Sequence, residues 1–232
     1  MMILKKIIAL TFIFIFAQNS FAQKKTPINS KKTVLMIPVV NKEFEKFNIE
    51  KFNSRKDKTP YSEFTETLKN GTIITMSETN AGKSYSELEP DSYFQISKGY
   101  YPNGNIKTKG LFFNGSGFQK GIWYEFDEKG KLISEIDYDK PYKFTFENLL
   151  IFCKKENIVL KKGFINQSSF HTNIFKKKSS SNEIIWVIEW QDPKLLTHED
   201  TCSKGTRTYN VLFETLEIDG ITGVLIKRYP NK

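Results

Sequence analysis

Three short phrases in this chain of 232 residues close a polar turn with glycine between runs that alternate apolar and polar side chains. They centre on Asn70-Gly71, Asn103-Gly104 and Lys129-Gly130. "GYYPNGNIKTKG", Gly99 to Gly110, and "YEFDEKGKLISE", Tyr124 to Glu135, are two versions of the same phrase. Asn-Gly between alternating runs is the strongest short-range signal for a β-hairpin. Glycine accepts the positive φ that such a turn requires, and asparagine tolerates it better than most residues. Gly71, Gly104 and Gly130 are the expected turn glycines, and at Asn103-Gly104 and Lys129-Gly130 the expectation is a type I′ turn or a glycine-bulge variant with positive φ at both glycines.

A lone two-stranded hairpin is marginal in water, so repeated hairpins must share one core. This predicts an α+β fold that is mainly antiparallel β, with stacked β-hairpin repeats followed by a one-helix α+β unit. The boundaries expected are a leader over 1–22 and a flexible lead with short elements over 23–58. A hairpin-repeat sheet over 59–139 and an α+β C-terminal subdomain over 140–232 complete the chain. "TVLMIPVV", Thr33 to Val40, reads as a short strand interrupted by Pro38, and Phe44, Phe47 and Phe52 fit a short helix or an irregular segment. "FTFENLLIFCKKENIVL" has helical spacing, with Thr145 as N-cap and Lys154 and Lys155 in its C-terminal half. A strand pair flanks "KKKSSSN", and a final hairpin runs from Val211 to Tyr229 around Asp219-Gly220 or Gly223. The junction "DYDKPYKF" leaves little room for a linker, so two packed subdomains are expected.

The stretch "GYYPNGNIKTKGLFFNGSGFQKGIWYEFDEKGKLISEIDY" resembles the variant MORN-type repeat of bacterial proteins grouped as YwqK-like antitoxins. Tyr100-Tyr101-Pro102-Asn103-Gly104 carries the first turn, Gly121-Ile122-Trp123 opens the second repeat, and Gly130-Lys131-Leu132 closes its turn. The turn glycines lie 33 and then 26 residues apart, so the first repeat is diverged or carries an insertion. The resemblance implies stacked hairpins, and it suggests toxin neutralisation as a role. The terminal hairpin is faintly similar to exported PepSY-type domains.

"MMILKKIIALTFIFIFAQNSFAQ" reads as a secretory signal peptide: Lys5 and Lys6, then an apolar run from Ile7 to Ala17, then Ser20-Phe21-Ala22. Cleavage is expected near Ala22, giving a periplasmic or extracellular protein with no transmembrane segment after cleavage. Loss of Lys5 and Lys6 takes the formal charge from +9 to +7. The cations are lysines apart from Arg55, Arg207 and Arg228. Nucleic-acid readers lean on arginine forks and stacked guanidinium planes, so no nucleic-acid partner is expected.

Catalytic chemistry leaves little trace. There is no Gly-x-Ser-x-Gly elbow, and the histidines are His171 and His198. "HEDTC", His198 to Cys202, concentrates possible metal ligands, but reads as a polar loop, so no metal and no cofactor is expected. "NAGKS", Asn80 to Ser84, lacks the upstream glycine of a phosphate-binding loop. Cys153 and Cys202 could form a disulfide in an oxidising compartment. Cys153 sits near an apolar helix face and Cys202 in a polar loop, which leaves a buried thiol and a loop thiol as the other reading.

Adjacent aromatic residues such as Tyr100-Tyr101 and Phe112-Phe113 must point to opposite faces of a strand. One member of each pair therefore leaves the shared core, and Tyr101, Phe113 and Tyr124 are the candidate binding face. The expected function is that of a non-enzymatic exported envelope protein that binds a protein partner of unknown identity, with toxin neutralisation as one form. The other reading is an envelope enzyme, or a small-ligand or polysaccharide module, whose carboxylates converge only in the fold. The sequence leaves the oligomeric state open.

Overall fold

The computed structural model describes residues 35, 37–55, 62–115, 117–166, 172–191 and 213–231. The leader, His171, the loop containing His198 and Cys202, and Arg207 lie outside the described residues. Met36–Lys232 forms one compact unit that holds both sheets. Among the described residues the protein is α+β and mainly antiparallel, with eleven strands and two helices.

The first sheet is a seven-stranded meander in sequence order. Its strands are β1 (Glu63–Thr67), β2 (Ile73–Thr79), β3 (Gly82–Leu88), β4 (Phe94–Tyr100), β5 (Ile106–Phe113), β6 (Gln119–Phe126) and β7 (Leu132–Asp137). The β1–β2, β4–β5 and β6–β7 turns share one geometry. Leu68, Tyr101 and Asp127 each donate an N–H four residues ahead and accept one from the glycine three residues ahead, all at 2.8–2.9 Å. This is the glycine-bulge turn, with φ of +86° at Gly71, +87° at Gly104 and +88° at Gly130. Asn70, Asn103 and Asp127 reinforce it by accepting backbone N–H groups through their side-chain oxygens. "NAGKS" is the tight β2–β3 turn.

Alternation buries one face of this sheet. Phe64, Ile74, Met76, Tyr100, Ile106, Tyr124 and Phe126 form a core with Phe47 and Phe52. Those two phenylalanines belong to an N-terminal strap that ends in helix α1 (Ile49–Arg55). Residues 37–40 form no strand, contrary to the reading of "TVLMIPVV". The strap's backbone meets the sheet beside the β4–β5 turn: Phe47 N–H donates to Gly104 O at 2.8 Å, and Ile106 N–H to Glu45 O at 3.1 Å.

Helix α2 (Phe146–Lys155) buries Phe146, Leu149 and Cys153. Thr145 caps it in a capping box with Asn148, so the chain can enter the helix abruptly after Pro141. The second sheet has the order β11-β10-β9-β8. It comprises β8 (Asn173–Lys178), β9 (Ile184–Gln191), β10 (Phe213–Asp219) and β11 (Leu225–Asn231). Its two hairpins match the two strand pairs read from the sequence. Phe118 joins the sheets, stacking on Phe113 at 5.0 Å and meeting the edge of Trp186 at 5.2 Å.

Candidate binding face

The face of the first sheet opposite its core carries small polar side chains over much of β1 to β5. Thr75 and Ser77 alternate with buried Ile74 and Met76 and are half-exposed. Register sets Thr65, Thr75, Ser86, Ser97 and Gly110 side by side across β1 to β5. A second row runs through Ser77, Ser84, Gly99 and Thr108. Some hydroxyls pair across strands, with Thr65 and Thr75 at 3.1 Å and Ser77 and Ser84 at 2.7 Å. Small side chains flatten this face, and each hydroxyl can both donate and accept.

A shallow groove of about 450 Å³ lies at one end, lined by Ser77, Thr79, Ser84, Gly99, Lys107 and Thr108 among others. Gly99 keeps the groove floor low, since a Cβ there would lie 3.0 Å from Thr108 Oγ1. Lys107 is exposed, with its ammonium 5.5 Å from the Tyr101 ring centre. The ammonium of nearby Lys83 is already engaged by Pro102 O at 2.7 Å and Glu78 at 3.1 Å. At the other margin Phe112 meets Trp123 at 4.6 Å, and Tyr138 meets the same ring at 6.5 Å. Trp123 lies over Gly110, where an added Cβ would sit 2.3 Å from the indole.

The candidate aromatic face does not assemble. Phe113 and Tyr124 are buried, at 2% and 9% exposure. Phe113 packs with Phe94, Phe118 and Phe146 where α2 meets the sheet. Tyr124 belongs to the core under the strap. Tyr101 is half-buried, and its hydroxyl donates to Phe126 O at 2.9 Å. Opposite-face pairing does hold, but at Phe112-Phe113 the outward member is Phe112. The hydroxyl rows carry a weaker sequence signal than the aromatic pairs. Their signal is a period of two in "TMSET" and "SYSEL", where Thr75, Ser77, Thr79, Ser84 and Ser86 alternate with larger residues.

Buried charges sit elsewhere, as clamps. Lys109 is buried under the strap, donating to Glu45 at 3.1 Å, to Asn41 at 3.3 Å and to Glu43 O. Glu45 also accepts from Lys98 at 2.7 Å. Between the sheets Asp139 accepts from Lys120 at 2.6 Å and from Lys176. Lys176 also donates to Gln119 O at 3.0 Å and Tyr138 O at 2.9 Å, and lies 5.1 Å from the ring centres of Phe118 and Tyr142. Burial alone would raise the Asp139 carboxyl, but the two lysines outweigh it and hold it below its ordinary value. Burial pulls the Lys176 ammonium down, against the pull of Asp139.

Cys153 is a free, buried thiol, and Cys202, its partner in the possible disulfide, lies outside the described residues. Burial pushes it up to about 12, which keeps the unreactive thiol form. Among the described residues no group of three or more His, Cys, Asp or Glu is placed to hold a metal ion. No helix among them is long and apolar enough to cross a membrane.

No family model and no solved structure matches the chain. A stretch of 86 residues is 34% identical to the human rod cGMP-specific 3',5'-cyclic phosphodiesterase subunit alpha. That stretch is 35% of this chain and covers 9% of the phosphodiesterase subunit, so it assigns no family.

Proposed function

We infer that the chain is a non-enzymatic binding module whose first sheet presents its hydroxyl-lined face to a protein partner. The single observation that carries this is the asymmetry of the sheet. One face is packed with aromatic residues, while the other carries two adjoining rows of Ser, Thr and Gly, flanked on one side by Ile73, Leu88, Gln95 and Phe112 and covered at Gly110 by Trp123. A flat open face with small side chains lets a partner approach the backbone closely and form many hydrogen bonds at little side-chain entropy cost. The buried ionisable groups are engaged in clamps that hold the strap and the two sheets, which leaves them unsuited to chemistry. With the leader-like N-terminus, this describes an exported envelope protein. The MORN-like repeats suggest neutralisation of a toxin as its particular form.

The test is affinity capture from envelope extract by the chain lacking residues 1–22, compared with a Ser84→Lys/Ser97→Lys variant. The expected result is one partner retained by the parent and lost by the variant. A partner held equally by both sinks the assignment to this face. A second reading has one supporting observation, the groove beside Lys107 and Tyr101 with its hydroxyl lining. Hydroxyls beside an aromatic ring suit a saccharide, and pull-down on insoluble envelope polysaccharide tests it. Retention that is lost in Thr108→Lys would favour this reading over the protein partner.

A further inference from the structure

Away from the sheet face, the segment from α2 to the loop after it carries an unusual mixture. Ile151, Val159 and Phe164 are exposed at 69%, 72% and 71%. Single exposed apolar residues are ordinary, so these three are weighed together with the charges that accompany them. Exposed lysines accompany them. Lys154 and Lys155 follow Ile151 by three and four residues on the helix, so they share its outward side, opposite buried Leu149 and Cys153. Glu156, the acid nearest this pair in sequence, is bound by Arg228 at 2.6 Å. Glu147, at the far end of the helix, faces Lys120 at 3.5 Å. The cations of the helix end are therefore left without a competing carboxylate on their own element. Elsewhere the balance differs: Gly163 N–H donates to Ser92 O at 2.9 Å, and the loop before Ser92 carries Glu89 and Asp91. The positive charge of this segment therefore stands clear of carboxylates at Lys154 and Lys155 rather than beside Phe164.

We propose that this surface, Ile151 with Lys154 and Lys155 and the exposed Val159 and Phe164, docks on an anionic phospholipid bilayer. The lysines meet the headgroups, and the apolar side chains enter the boundary between headgroups and acyl chains. Lysine suits this role because its long stem reaches while the ammonium stays hydrated. On the helix, exposed Ile151 is flanked by Lys154 and Lys155, and the nearest acid in sequence, Glu156, is engaged by Arg228, a pattern that matches an anionic headgroup layer. The surface is separate from the hydroxyl face, so the protein could hold a partner while resting on a membrane.

The experiment uses the purified chain without residues 1–22, which retains the whole compact unit Met36–Lys232. Co-sedimentation compares vesicles of phosphatidylethanolamine with phosphatidylglycerol against vesicles of phosphatidylcholine alone. The expected result is binding to the first that weakens with salt, and little binding to the second. Lys154→Gln/Lys155→Gln should lower partition roughly 20-fold. Phe164→Ser should lower it by about fivefold and remove the part that survives high salt. Lys129→Gln/Lys131→Gln, on the β6–β7 turn, should change it less than about twofold. Equal losses in the two lysine pairs would mean general charge attraction and overturn the proposal. Absence of binding to anionic vesicles, or equal binding to both vesicle types, overturns it too. Ser84→Lys/Ser97→Lys is expected to bind vesicles at least as well as the parent, so failure of the partner reading and failure of this one give different results.

Discussion

The two sheets are both antiparallel with strands in sequence order, yet they bury their strands differently. In the first, β2 has Ile74 and Met76 inside and Thr75 and Ser77 half-exposed on the other side. In the second, β9 is buried on both faces: Trp186 and Ile188 on one, Ile185 and Val187 on the other. Strands covered on one face alternate, whereas strands covered on both read as continuous apolar runs. "TIITMSET" and "EIIWVIEW" display that contrast directly. The first sheet thus keeps a polar outer face, and strand β9 of the second serves as core. The largest test of this contrast is on β9. Trp186→Ala should cost about 3–5 kcal/mol in denaturant unfolding, since it empties the junction with Phe118 and Tyr142. On β2, Ser77→Ala should stay within about 0.5 kcal/mol. A similar cost for both would abolish the distinction between a free and a buried strand.

The next test concerns the charges that join the sheets. Asp139 is bound by Lys120 from β6 and Lys176 from β8. Asp139→Asn should cost about 2–3 kcal/mol, less than a fully buried pair because the side chain is 31% exposed. The pH dependence has a definite sign. The folded carboxyl titrates below its ordinary value of 3.8. Its contribution is therefore complete above that value and is lost as pH falls through the lower, folded one. Melting curves at falling pH should show a steeper acid limb for the parent than for Asp139→Asn. Parallel limbs would remove Asp139 from the account of how the sheets are held.

Local grammar made the hairpins legible. Turn chemistry and alternation act within a few residues, so Gly71, Gly104, Gly130 and the Thr145 cap could be read one phrase at a time. The aromatic face was not legible for a different reason. Strand alternation says that Phe112 and Phe113 point apart, but only the placement of α2 decides which side is core. Phe146 settles it for Phe113, and the strap carrying Phe47 settles it for Tyr124. The clamp at Asp139 joins residues 19 and 37 positions apart, a pairing that no local pattern announces.

Turn glycines sharpen the comparison at lower energies. A Cβ at Gly104 meets nothing within 4 Å, so Gly104→Val should cost only the backbone conformation, about 1–2 kcal/mol. At Gly130 the Phe44 ring of the strap lies 2.4 Å from the same atom, so Gly130→Val should cost about 1 kcal/mol more. Equal melting shifts in the two variants would mean that Phe44 yields freely and that the strap is loosely seated.

The smallest effect comes from the second sheet's version of the same turn. Between β8 and β9, Ser179 N–H donates to Glu183 O at 2.8 Å and Asn182 N–H to Ser179 O at 3.0 Å, the bonding pattern of the glycine-bulge turns. Here Asn182 fills the glycine position, with φ of +65°. Asparagine is strained in this region, though less than other residues with a Cβ. Asn182→Gly relieves that strain but adds freedom to the unfolded chain, and these effects oppose. The net change should be stabilising by about 0–0.5 kcal/mol, against a loss of about 1 kcal/mol in Asn182→Ala. That ordering, Gly at or above Asn and Ala below both, follows only if the position demands positive φ. Chemical denaturation of the three proteins reads it directly. Alanine matching asparagine would show that the second sheet closes this hairpin by another turn, and that the two sheets do not share one hairpin rule.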